Sequence, residues 1–228
     1  MNKIFIHQPD FCPWLNFFIR VNKADYFIIL DDIQFNRRGW LNKDFIKTAN
    51  GVQKITVPVK KISRENSFVN SIKISYENEW TTSFLKTLQM NYSRSINYPN
   101  NIKVIENILK NKYEYLVDLN LEFIKYFFFI LNIKTKIIKS SELNLLKKGS
   151  NKILEICQLL DCSEYITGEG SKNYLDLNKF KENKIDINFK IKFKKKYEQI
   201  NGKFINNLSI IDYFLNCYDE TKKNDILK

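Results

Sequence analysis

Residues 3–30, KIFIHQPDFCPWLNFFIRVNKADYFIIL, decide how this chain folds. The apolar run at 3–7 reads as a short buried strand, and Pro9 and Pro13 stop it because neither can donate to a ladder. Residues 14–22 then carry apolar side chains at helical spacing, with Pro13 suited to a first helical turn. A second apolar run, YFIIL at 26–30, closes the unit. Strand, helix and strand within this length match a parallel βαβ unit, which puts both strand ends on one edge of a sheet. His7, the one histidine of the chain, ends the first strand, and Asp31-Asp32 follows the second. Ligands of open α/β sheets collect beyond the carboxyl ends of the strands, so these polar residues form the first candidate site.

The rest of the sequence extends this plan. Asn50-Gly51 separates two alternating runs and predicts a β-hairpin with both residues at positive φ. A strand is expected at 71–76, and helices over 78–131 form an insertion. Strand and helix then alternate again. TKIIKSS predicts a strand, SNKILEICQLL a helix capped by Ser150, EYITG a strand ending in Gly168 and YLDLNKF a helix. IDINFKIKF predicts a further strand and LSIIDYFLN a terminal helix capped by Ser209. The expected architecture is one α/β domain over residues 1–228: a three-layer, mostly parallel sheet with a β-hairpin and a helical insertion.

Composition narrows the function. Hydrophobic residues make up 44% of 228, enough for a packed core. The longest apolar stretch is far too short to span a bilayer, and the N-terminus lacks the pattern of a signal peptide. The expectation is a cytoplasmic protein without membrane insertion. The net charge is +12, yet only five of the 37 basic residues are arginine, and lysine is spread along the chain. The densest basic run, KIKFKKKYEQ, alternates as a strand with one wet face does. Nucleic acid is therefore not the expected partner, and a phosphate-bearing small molecule would be served by the same field. The cysteines at 12, 157, 162 and 217 include no CxxC pair, and one histidine leaves few nitrogen ligands for zinc, so no metal site is expected.

Three clusters carry chemistry. His7, Gln8, Cys12 and Trp14 include a group able to take a proton near neutral pH, although a histidine there can also merely hold a loop. Cys12 is a conceivable nucleophile, with no second histidine to activate it. Asp31 and Asp32 precede Gln34, Arg37, Arg38, Trp40 and Asn42. Neighbours in a strand face opposite ways, so one aspartate at most serves a given ligand; it could orient His7 or bind Mg²⁺. Arg37 and Arg38 suit bidentate phosphate or carboxylate binding, or form a surface pair. The third cluster is TGEGSKNYLD, where Gly168 and Gly170 sit between a strand and a helix and can cradle an anion or simply turn the chain. Trp14, Trp40 and Tyr174 offer stacking surfaces.

In order along the chain, IHQPDFCPWLNFF, ADYFIILDDIQFNRRGWLNKDFIKTANG, ITVPV, YITGEGSKNYLD and FINNLSIIDYFLN resemble the WbqC-like family of bacterial proteins. The chain keeps His7, Gln8, Pro9, Pro13, Trp14, Asp31, Asp32, Gln34, Trp40, Asn42 and Gly51 of that family's pattern. It departs at Asn16, where glycine is usual, at Lys43-Asp44, where Arg-Asn is usual, and at Asn206, near which proline is common. The resemblance implies bacterial surface-polysaccharide (O-antigen or capsule) biosynthesis. It further implies a transferase that forms an amide by moving an acyl or aminoacyl group to a nucleotide-linked amino sugar. His7 would accept the amine proton, helped by Asp31 or Asp32, while Arg37, Arg38 and the Gly168–Gly170 turn would hold phosphate or carboxylate groups. The cofactor is left open. Activation by ATP with Mg²⁺ on the aspartates would make the protein a ligase or nucleotidyl transferase instead, and a non-catalytic RNA- or protein-binding module is the competitor from another class.

Overall fold

The computed structural model describes residues 1–63, 65, 67–221, 226 and 227. The chain forms β1 (Asn2–His7), α1 (Leu15–Asn22) and β2 (Tyr26–Ile29), then a hairpin of β3 (Lys43–Thr48) and β4 (Gly51–Thr56). Helices α2 (Trp80–Tyr92), α3 (Tyr98–Lys110) and α4 (Leu116–Ile130) follow. The last part runs through β5 (Lys136–Lys139), α5 (Gly149–Leu159), β6 (Cys162–Ile166), α6 (Leu177–Glu182), β7 (Asp186–Asn188) and α7 (Ile210–Cys217).

Five strands join in the order β5-β2-β1-β6-β7, and every neighbouring pair is parallel. The chain starts at the central β1, builds outward through β2 and β5, then returns past β1 to add β6 and β7. This is a doubly wound order, and its direction reverses between β1 and β6. Side-chain alternation along the strands supplies the layers. Phe5, Phe27, Ile29 and Ile166 face α1, α4 and α7, whereas Ile4, Ile6, Ile28 and Tyr165 face α5 and α6. Phe5, Phe17 of α1 and Phe27 meet with ring centroids 5.3–5.5 Å apart. Burying each such ring contributes about 1.5–3 kcal/mol. The expected mixed α/β architecture with a mostly parallel sheet, a separate antiparallel hairpin and inserted helices is what the chain adopts.

Local expectations differ in four places. The hairpin turn is centred on Ala49 and Asn50, because Thr48 pairs with Gly51, and of Asn50 and Gly51 only the glycine takes positive φ, at 112°. Residues 71–76 make isolated bridges, Val59 with Ile74 and Lys73 with Tyr115, in place of a strand. Ser150 lies inside α5, where its hydroxyl accepts from the Asp176 amide, and Asp176 in turn caps α6. The basic stretch at 190–194 leaves the sheet after the short β7 and crosses to α1. There Arg20 Nε donates to the Ile191 carbonyl, and the Phe193 amide donates to Asn16.

The C-terminal helix closes the core through a buried network. Tyr92, Tyr197 and Gln199 donate to the Asp212 carboxylate at 2.6, 2.7 and 2.8 Å, and the Tyr92 hydroxyl also accepts from the Lys47 amide. Ser209, the cap of α7, donates to the Cys12 carbonyl. The loop after β1 is thereby held from two sides.

Candidate functional site

His7 closes β1 directly opposite Ile29 of β2, and its carbonyl accepts from the Leu30 amide. The imidazole shares its face of the sheet with Phe5. It stacks on that ring at 5.5 Å and meets Phe17 edge-on at 5.6 Å, which fixes its plane. The side chain is nonetheless 37% exposed. Nδ1 lies 3.0 Å from the Gln8 carbonyl. With the Nδ1 proton donated there, Nε2 carries the lone pair, and among the described residues nothing bonds to it.

The carboxylate beside this ring is Asp10, with Oδ2 3.6 Å from Nδ1. Asp10 is buried, and desolvation lifts its pKa to about 6 against the opposing pull of His7. Asp44 of β3 is buried close by. Burial raises its pKa to about 8 and the Asp10 charge adds to the rise, although the Phe45 amide donates to it. Asn120 of α4 braces the same loops: its amide donates to the Pro9 and Leu41 carbonyls at 2.6 and 2.7 Å, while its buried Oδ1 has no partner. Cys12 is fully buried, and desolvation together with Asp44 pushes its thiol well above the ordinary range. Such a thiol packs and does not attack.

Asp31 and Asp32 have other partners. Asp31 is buried and accepts from the Ser141 amide at 3.0 Å, the Ser141 hydroxyl at 2.7 Å and the Ser140 hydroxyl at 3.3 Å. Asp32 pairs with Lys152 of α5 at 2.5 Å and accepts from Ser140. Partial burial opposes the ionisation of Asp32, but the hydrogen bonds from Lys152 and Ser140 and the Lys152 charge overcome it and lower its pKa. Both carboxylates thus tie the end of β2 to the start of the chain beyond β5. No hydrogen bond joins either to His7 among the described residues.

The loop at 34–42 carries the remaining residues of the second cluster. Gln34 and Arg37 line a groove of about 460 Å³ with Phe35, Asn36, Ile62 and Ser67. Arg37 and Asn42 line a neighbouring cavity of about 210 Å³ with Lys60 and Lys61, two cations that sequence analysis did not single out. Arg38 is exposed, and its amide donates to Asn36. Trp40 is about half exposed and leans on Phe45, while its carbonyl accepts from the Phe11 amide. Trp14 is half-buried and bridges to Ser209.

At the end of β6, Gly168 lies in the loop facing β1. A Cβ at this position would sit 3.1 Å from Nη1 of Arg20, so the missing side chain admits a guanidinium. Gly170 has open space around it, and Tyr174 is exposed on the loop that leads to α6. Asp10 and Arg20 are the residues that sequence analysis missed. A signal existed for Arg20: it lies three residues after Phe17 and one before Val21, on the apolar side of α1, in a chain poor in arginine. Asp44 was marked by alternation, since it shares a strand face with the buried Ile46.

A doubly wound α/β protein with a half-exposed imidazole at its switch point is the class these features define. The chain belongs to the WbqC-like protein family, which matches residues 8–224. It is similar to the uncharacterized protein Rv1507c of Mycobacterium tuberculosis (strain ATCC 25618 / H37Rv), 29% identical over 218 residues that cover 95% of this chain and 94% of that protein. No solved structure matches the chain. Among the described residues no helix is long and apolar enough to cross a membrane, and no three His, Cys, Asp or Glu side chains group so as to hold a metal ion.

Proposed function

We propose that this protein is a cytoplasmic transferase of bacterial surface-polysaccharide biosynthesis, which forms an amide by moving an acyl or aminoacyl group onto a nucleotide-linked amino sugar. The observation that carries the reading is the partly exposed His7 side chain beside the buried Asp10, with Nδ1 engaged and Nε2 unbonded among the described residues. In the proposed step the sugar amine attacks the acyl carbonyl of a thioester or ester donor. A C–N bond forms, and Nε2 takes the amine proton. The C–S or C–O bond then breaks, and the imidazolium returns that proton to the departing sulfur or oxygen. Asp10 faces the imidazolium and offsets its charge. Asp31 and Asp32 would keep the end of β2 in register beside it. Gln8, Gln34, Arg37, Arg38 and Asn42 would bind the polar parts of the substrates, with the turn at Gly168 and Gly170 beside the phosphates. Trp14, Trp40 and Tyr174 would stack on base or sugar rings.

The test is His7→Asn, which keeps the ring's approximate volume and removes the base. Turnover with nucleoside-diphosphate amino sugars should fall by about 10²-fold or more. The thermal stabilisation produced by the same nucleotide sugars should remain. Full activity in the variant would remove His7 from the chemistry. Affinity for RNA that falls steeply with salt, without any response to nucleotide sugars, would favour a binding module.

A further inference from the structure

Arg20 is a charged side chain, 8% exposed, whose Nε donates to the Ile191 carbonyl at 3.3 Å. Its Nη1 and Nη2 groups have no acceptor among the described residues. Among the described residues no carboxylate lies within ion-pair distance of it; Glu169 acts on it at longer range and is itself held by Lys172 at 2.6 Å and Lys192 at 3.8 Å. Buried guanidinium groups are ordinarily matched by an anion, since desolvation without a partner is costly. Arg20, Lys172 and Lys192 against Glu169 leave an excess of two positive charges in one place. Helical side chains lean toward the helix N-terminus, so Arg20 is directed back to the carboxyl edge of the sheet. It reaches Gly168 there. Phe5 pairs with Ile166, so the end of β1 that carries His7 and the end of β6 that leads to Gly168 lie side by side, across the point where the strand order reverses. His7 rests on Phe17, one helical turn from Arg20.

We propose that Arg20, with Lys172 and Lys192, forms a binding site for a doubly charged phosphate group beside His7, and that Gly168 is glycine so that the guanidinium can reach it. The inference deepens the reading of the switch point as a substrate site and rests on it. The free edge of the guanidinium matches two oxygens of one phosphoryl group, and the two lysines supply charge at its outer side. Glu169 holds those lysines in place until the anion arrives. A nucleoside diphosphate bound this way would put its attached sugar next to Nε2.

The probe is inorganic pyrophosphate, titrated calorimetrically at low salt into the full chain. Arg20→Gln should weaken binding about 10- to 100-fold, as expected for a lost charge-assisted bidentate contact. Lys172→Ala and Lys192→Ala should each weaken it by less than about 5-fold, as exposed cations do. His7→Asn should leave it unchanged, so a failure of this site and a failure of the catalytic proposal are read separately. If Arg20→Gln does not fold by circular dichroism, Gly168→Leu carries the test, because a Cβ there already lies 3.1 Å from Nη1 and the longer side chain must displace the guanidinium, which should weaken binding likewise. Undiminished affinity in the folded Arg20 or Gly168 variant, or no binding by the wild type, overturns the proposal. So does a loss confined to Arg37→Ala, which would put the anion in the groove of the 34–42 loop.

Discussion

The ends of β1 and β2 lie side by side and both are polar, yet they differ in how fully their groups are bonded. At the end of β2, Asp31 accepts three hydrogen bonds and Asp32 holds a lysine and a serine. At the end of β1, His7 engages one ring nitrogen and leaves the other unbonded, and no hydrogen bond reaches the Asp10 carboxylate among the described residues. Saturated groups hold a frame, because each bond fixes a neighbour and leaves nothing over for a ligand. Unsaturated buried groups cost stability and persist where a bound molecule completes them. The contrast separates two acidic positions that look equally chemical in sequence.

The largest effect that would break the comparison comes from Asp31→Ala. It strands the Ser141 amide and hydroxyl donors and removes one of the two carboxylates that pin β2 to the segment after β5. A loss of about 3–5 kcal/mol in urea unfolding is expected, as for other breaks in a buried hydrogen-bond network. A folded variant of normal stability that had lost turnover would instead make the end of β2 chemical.

The fold was legible in the sequence because its signals are local. Prolines after residue 7, helical spacing to residue 22 and a second apolar run fix a βαβ unit without reference to any other part of the chain. The strand at 190–194 misled because alternating lysines and apolar residues give the same period whether a ladder partner exists or not. Here Ile191 and Phe193 pack toward α1 without any sheet neighbour. The site was half legible. His7 stood out as a lone residue type at a strand end. Asp10 did not, because between Pro9 and Phe11 it reads as an ordinary loop acid, and only the long-range packing of that loop, held by Asn120 through the Pro9 carbonyl, buries it. Asp31 and Asp32 drew attention as a pair, and their partners lie more than a hundred residues away, beyond any sequence window.

A smaller effect, and one that sharpens the comparison, concerns Asp44. Its folded pKa of about 8 exceeds that of the unfolded chain, so the folded state binds more protons between about pH 4 and about pH 8. Stability contributed by the neutral form is complete below that window and is lost as pH rises through it, by at most about 1.4 kcal/mol per pH unit for one group. Asp44→Asn keeps an oxygen for the Phe45 amide and cannot ionise. Its unfolding free energy should match the wild type near pH 4 and exceed it by about 2–3 kcal/mol at pH 8. A neutral aspartic acid is nearly isosteric with asparagine, so the substitution mimics the protonated side chain. Equal pH slopes for the two proteins in chemical denaturation would show that Asp44 ionises in the folded state as it does in water.

Asp10→Asn should have the smallest effect on stability, and it tests whether the end of β1 works as a unit. With a folded pKa of about 6, Asp10 makes the folded state lose stability between about pH 4 and about pH 6, so the amide should gain about 1–2 kcal/mol at pH 7. The gain comes with a loss of function, because at neutral pH the wild-type carboxylate is ionised and faces the ring that receives the proton. Removing that counter-charge should cut kcat/KM about 10-fold, part of the 10²- to 10⁴-fold that a positioned proton acceptor contributes. It should also change the shape of the rate profile around pH 6, where the wild-type Asp10 ionises and the amide cannot. A purely structural Asp10 would change the melting temperature and leave the shape of that profile alone. A positioning Asp10 changes both, in opposite senses for stability and rate.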